Sequence, residues 1–177
     1  PSDGRGTCHC PNCAELGTPT DRVIFLANQV AKGLRAKHPK ARVGLYAYST
    51  HRLPPTIPVE PNVYVQVAMG FNRTRYTLPQ LVSEWAEKVS MIGLREYYGV
   101  EAWDWGLPGR MRGASVAYHE KWIPFYCERN VNAVNAETNA NWGGQTLGLL
   151  VASHLMWDPS ADVDAIVEDY FAKAFGG

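Results

Sequence analysis

Apolar and polar residues alternate with a two-residue period in 62–69 (NVYVQVAM) and 131–136 (VNAVNA), the run 42–49 (RVGLYAYS) is β-branched and aromatic, and a further short run lies around 97–102. All four are predicted to be β-strands. Around them the apolar spacing switches to three and four residues. Val23, Ile24, Ala27, Val30, Ala31 and Leu34 predict a helix capped by Thr20 or Asp21. It stops before Pro39, because the residue ahead of a proline is pushed out of the α region. Thr77-Leu78-Pro79-Gln80 has the form of a capping box and opens a helix with Leu78, Leu81, Val82, Trp85 and Val89 on one face. Further helices are predicted over 115–129, from about 146 to 157, and over 162–175. Asp162 and Asp164 suit the electropositive start of the last one. Residues 1–18, the proline-rich 51–61 and the basic, glycine-rich 106–113 read as loops.

Strand and helix alternate, with one strand-to-strand step through the proline loop. That order predicts an α/β domain built on a parallel sheet with helices outside. Four strands, with a fifth expected just ahead of Pro1, make roughly half of a (β/α)8 barrel of about 250 residues. The whole of 1–177 therefore reads as a single partial domain, the C-terminal part of a TIM barrel truncated at its N-terminus, with the N-terminal part of the barrel as its missing partner. The runner-up is an open doubly wound sheet, but the Gly-x-Gly-x-x-Gly turn that it favours is absent.

Charge and composition narrow the function classes. The 17 basic residues cancel the 17 acidic ones, so no global field recruits nucleic acid or an anionic membrane surface. No apolar run approaches the ~20 residues of a membrane-spanning helix. Neither a Gly-x-Ser-x-Gly elbow nor a His-Glu-x-x-His pair occurs, which argues against serine hydrolase and zinc protease chemistry. His154, on an apolar helix face, reads as a core or rim residue.

The stretch 131–144 (VNAVNAETNANWGG) carries the strongest functional signal. A strand ends in an acid, a loop holds an aromatic and glycines, and a helix follows. In parallel α/β folds the crevice beyond the carboxyl ends of the strands takes the ligand. Acids predicted at strand ends are Asp3, Glu101 with its neighbour Asp104, and Glu137. Glycoside hydrolysis needs two carboxyl groups across the scissile bond, so Asp3, Glu101 and Glu137 are the catalytic candidates. A turn role for Asp3 and a rim salt bridge for Glu137 are the competing structural readings. Tyr46, Tyr48, Trp103 and Trp142 are candidate sugar-stacking rings, with Asp104 for hydroxyls. Arg110, with Arg73, Arg75 and Arg112, is a candidate for binding a substrate carboxylate.

Cys8, Cys10 and Cys13 form Cys-x-Cys-x-x-Cys within the first loop. Thiolates so crowded suit a tetrahedral structural zinc, with His9 or an upstream residue as fourth ligand. Partly paired or idle reduced thiols are the alternatives, and Cys127 is set aside because it falls late in a helix. The chemistry itself requires no cofactor.

The segments SDGRGTCHCPNC, RVGLYAYS, AETNANWGG and LLVASHLMWDPSADVDAIVEDYFAKAFGG together resemble bacterial domain-of-unknown-function family 4838. That family looks like the glycoside hydrolase barrels of α-glucuronidase and hexosaminidase type. The likeness covers most of the chain and is most specific at Leu155-Met156-Trp157-Asp158-Pro159 with Asp162-Val163-Asp164. It implies a carbohydrate-active barrel whose partner is an oligo- or polysaccharide, compatible with a secreted or periplasmic location. The alternative that it leaves open is a non-catalytic carbohydrate-binding or scaffold barrel. A similar cysteine cluster binds zinc in some barrel β-galactosidases.

Overall fold

A computed structural model of the 177-residue chain describes residues 7–100, 110–140 and 142–176. It is an α/β structure in which four parallel strands run in the order β1-β2-β3-β4: β1 Val43–Ala47, β2 Val63–Ala68, β3 Met91–Tyr97 and β4 Val131–Glu137. Helices α1 (Pro11–Glu15) and α2 (Pro19–Lys37) precede the sheet. Helix α3 (Leu78–Ala86) links β2 to β3, and α4 (Val116–Cys127) links β3 to β4. Helices α5 (Trp142–Trp157) and α6 (Val163–Phe175) follow. By Cα packing the chain divides into two compact units, Pro1–Glu96 with Arg129–Asn135, and Tyr97–Glu128 with Ala136–Gly177.

In the first unit the pairing is in uniform register, Val43↔Val63 through Ala47↔Val67, then Tyr64↔Met91 through Ala68↔Arg95. In strand β2, Val63, Val65 and Val67 are fully enclosed, while Tyr64 and Gln66 on the other face are half-buried. Ile24, Ala27 and Ala31 of α2, Leu81, Val82 and Trp85 of α3, and Ile92 and Leu94 of β3 complete this core. Gly93 in β3 is required by a close approach. A Cβ there would run into the Tyr64 ring, reaching over from β2, and into the Ala133 carbonyl of β4.

The helix starts follow from their sequences. Thr77 caps α3, and Thr77 and Gln80 satisfy one another's backbone amides. Helix α2 is capped by Thr18, not by Thr20 or Asp21. Pro19 takes the first helical position, for which its fixed φ is pre-organised, and Asp21 is the third residue of a second capping box. Val30, expected on the apolar face of α2, is half exposed.

The step from β1 to β2 has no α-helix. After a 3-10 turn (Ser49–His51), the loop lies along α2 and is held by that helix's polar side chains. Thr20 Oγ1 donates to the Leu53 carbonyl at 2.7 Å, and Asp21 accepts from the Thr56 and Ile57 amides at 2.6 and 3.3 Å. Asn28 Nδ2 donates to the Pro58 carbonyl at 2.8 Å, while Asn28 Oδ1 accepts from the Glu60 amide. Arg35 and Lys32 pair with the Glu60 carboxylate at 3.0 and 3.6 Å.

The second unit packs α4, α5 and α6 around Ile123, Val151, Ala152, Leu155, Val163 and Ile166. Ser115 caps α4, Asp162 caps α6, and Gly176 closes α6 in the left-handed region.

Three expectations shift. The third strand lies at 91–97, earlier than 97–102, because Gly93 and the charged pair Arg95-Glu96 mask its alternation. The first loop holds the short helix α1, and α5 begins at Trp142 rather than near 146.

Candidate functional site

Glu137 is the last residue of β4 and is half buried. Its backbone carbonyl accepts from the Tyr98 amide at 2.8 Å and from the Gly99 amide at 3.3 Å, both just past the end of β3. The Tyr98 carbonyl in turn accepts from the Gly113 amide at 2.8 Å, in the 3-10 turn Arg112–Ala114. His119 of α4 faces the Gly113 carbonyl through Nε2 at 3.2 Å. A carbonyl oxygen only accepts, so Nε2 carries the proton. Three hydrogen bonds thus run from the imidazole to the terminal acid of β4.

The layer behind this site is polar and closed. His119 and Gln145 are fully buried, and Asn139 nearly so. Gln145 Nε2 donates to Asn139 Oδ1 at 3.0 Å, and Asn139 Nδ2 lies 3.7 Å from the Met111 sulfur. The His119 ring meets the edges of Tyr98 and Tyr118 at 5.0 and 5.6 Å, and its buried Nδ1 has no hydrogen-bond partner among the described residues. Burial holds its pKa below the usual value, so the ring is neutral; the contact with the Gly113 carbonyl opposes this only in part. Gly148 of α5 sits against this turn, where a Cβ would strike the Gly113 carbonyl and the Ala114 backbone.

At the carboxyl ends of β1 and β2, in the first unit, a buried cation is the organising group. Arg52 donates from Nη2 to the Gly70 carbonyl at 2.6 Å and lies over the Tyr48 ring at 5.8 Å. The Arg52 carbonyl accepts from Trp85 Nε1 at 2.8 Å. Phe71 follows Gly70 with φ of +52° and is half exposed. A bulky residue in the left-handed region carries backbone strain of the kind that collects at functional sites.

The cysteines form the second constellation. The sulfurs of Cys8, Cys10 and Cys13 all lie within 4.8 Å of one another. Cys10 caps α1 and Cys13 is its third residue. The Cys13 amide, then the neighbouring thiols, hold Cys10 below the ordinary thiol value. Hydrogen bonding to Cys10 pushes Cys13 up to about 11. Arg22 braces this loop from α2, with Nη1 donating to the Cys8 carbonyl at 2.6 Å and Nε to the Gly17 carbonyl at 3.1 Å. Zn–S bonds of about 2.3 Å put tetrahedral sulfurs roughly 4 Å apart, so three thiols this close fit a metal ion. Among the described residues His9 does not join the group.

One family model, described as Domain of unknown function (DUF4838), matches residues 1–177. The chain belongs to that family. No curated protein and no solved structure matches it.

In this DUF4838 chain the sequence-derived candidates have separate fates. Glu137 stands at a strand end as expected. Asp3, Glu101, Trp103 and Asp104 lie outside the described residues. Tyr46 is within β1 and half exposed, Tyr48 is just beyond it, and Trp142 opens α5 largely exposed instead of sitting in a loop. Arg110, Arg73 and Arg75 are exposed, and Arg75 and Arg112 lie over the Tyr76 and Tyr118 rings. His154 is exposed, which removes the core half of the core-or-rim expectation. Cys127 is exposed at the end of α4.

Arg52, Phe71 and Glu96 carry no functional signal in the sequence, and His119 reads there only as an isolated histidine. Glu96 is buried one position before the end of β3, on the face shared by Ile92 and Leu94. Correct placement of that strand would have exposed the signal, since 92, 94 and 96 then share a face.

Proposed function

We propose that this chain supplies strands and loops of a carbohydrate-active (β/α)8 barrel, a glycoside hydrolase in which Glu137 is one of the two working carboxyl groups. The position of Glu137 at the carboxyl end of a parallel strand carries this reading, because that end of such strands holds the ligand crevice. The strand order supports it. β1 to β4 step in one direction without reversal, as around a barrel, whereas a doubly wound sheet reverses at a switch point. Trp142, in the same unit as Glu137, adds exposed aromatic surface of the kind that stacks on sugar rings. The second carboxyl group would come from Asp3 or Glu101.

The test uses the full-length protein against aryl glycosides and uronides. Glu137→Gln lowers turnover about 10²- to 10⁴-fold, the range for loss of a general acid or base, and leaves the melting temperature unchanged. Unaltered turnover removes Glu137 from the mechanism. Retention on polysaccharide affinity gels without turnover by the parent protein favours a non-catalytic carbohydrate-binding barrel.

We further infer that Cys8, Cys10 and Cys13 bind a structural zinc. The ion would fix the loop ahead of α2, where Arg22 is the existing brace, and would take no part in bond cleavage.

A further inference from the structure

We propose that His119 is a positioning residue for Glu137, holding the turn that aims the Tyr98 amide at the Glu137 carbonyl. The proposal rests on the reading of Glu137 as a working carboxylate. It begins from an apparent waste. A fully buried imidazole keeps one ring nitrogen without a partner among the described residues, at a cost in stability that an apolar side chain would avoid. The other nitrogen meets the Gly113 carbonyl.

Gly113 is caught on three sides. Its carbonyl accepts from His119, its amide donates to the Tyr98 carbonyl, and Gly148 of α5 packs so closely that no side chain fits between them. The peptide planes on both sides of Gly113 are therefore fixed, and the one that carries its amide fixes the Tyr98 carbonyl. The Tyr98 amide, one peptide plane earlier, then meets the Glu137 carbonyl at 2.8 Å. Because Glu137 is the last residue of β4, that bond, with the one from the Gly99 amide at 3.3 Å in the same peptide plane as the Tyr98 carbonyl, fixes the backbone from which its side chain leaves the strand. The imidazole ring also packs on the Tyr98 ring at 5.0 Å, so the same residue is gripped through backbone and side chain. An Nε2 donor, and not merely a ring of the right volume, is what this arrangement uses.

Glutamine can present an amide donor near the Nε2 position, whereas asparagine presents one near Nδ1. In the full-length protein, nitrogen NMR of the parent should find His119 in the Nε2–H tautomer. His119→Asn should speed exchange of the Tyr98 and Gly113 amides about tenfold, the worth of one lost hydrogen bond. The same variant should lower kcat by about tenfold or more with KM nearly unchanged, as expected when a reacting group is misaligned. His119→Gln should restore both to within about twofold, since the hydrogen bond is retained. An Nδ1–H tautomer in the parent, or identical behaviour of the two variants, overturns the proposal. If the parent turns over no glycoside, the carboxylate reading fails instead, and tautomer and amide exchange still decide whether His119 governs the Tyr98–Glu137 bond.

Discussion

Asp21 and Thr56, 35 residues apart, are joined twice: Asp21 Oδ1 accepts from the Thr56 amide at 2.6 Å, and Oδ2 from its hydroxyl at 3.0 Å. Oδ2 also accepts from the Thr18 amide and hydroxyl at 2.9 and 2.7 Å. This buried carboxylate is spent on structure, joining a helix cap to the proline loop. Asp21→Ala should cost about 2–4 kcal/mol in urea denaturation, since several donors lose their acceptor. A loss below about 0.5 kcal/mol would mean that the loop has other anchors.

Stability should fall on mild acidification. Burial is the main reason that both His51 and His119 have pKa values below the ordinary 6.5. The unfolded chain takes up their protons as pH falls through 6.5, while the folded chain does so only lower. The stabilisation is complete above 6.5 and is lost as pH drops from there to each folded value. Melting temperature measured from pH 7.5 down to 5 should decline, and His119→Gln should make the decline shallower. Asp21 works in a separate window. Burial raises its pKa, but hydrogen bonds from Thr18 and Thr56 outweigh this, so its contribution is lost only as pH falls below about 3.8.

Two helical glycines should respond oppositely to alanine. Gly33 in α2 has open space where a Cβ would stand, so Gly33→Ala should stabilise by about 0.5–1 kcal/mol through helix propensity. Gly148→Ala gains the same propensity but drives a methyl group into the Gly113 carbonyl, and should destabilise by about 1–3 kcal/mol net. Equal signs for the two would show that α5 and the 112–114 turn can separate at little cost.

Metal content tests the thiol cluster. The full-length protein purified without chelator should carry one zinc per chain by elemental analysis. Serine at Cys8, Cys10 or Cys13 should abolish it, and Cys127→Ser should leave it intact. Chelation should raise amide exchange in residues 8–17 while the β2 amides stay protected. Zinc retained by all three serine variants would rule the cluster out.

Much of the fold could be read from local chemistry. The Thr77–Gln80 box, the proline brake after α2, the β-branched and aromatic run of β1 and the alternation of β2 are short-range signals, and each has a counterpart in the structure. The Thr18–Asp21 box was missed because aspartate takes the glutamate position of the usual motif. β3 was misplaced for a tertiary reason. Gly93 leaves room for Tyr64 and Glu96 is buried, and neither fact can be inferred from periodicity. Glu137 was legible because an acid ending an apolar run is a local pattern. The His119–Gly113–Tyr98 chain was not, since its members are brought together only by the packing of α4 and α5.

The proline loop has a consequence for how tolerant α2 is to mutation. Asp21, Asn28 and Arg35 fall seven residues apart, two helical turns each, and all three reach the loop. The helix thus bears two seams, an aliphatic one that meets the strands and a hydrophilic one that acts as a template for a segment with no regular structure of its own. A mutational scan of the helix should therefore find a sensitive line of polar positions outside its aliphatic seam, and randomising that line should scramble 52–62 while sparing the sheet.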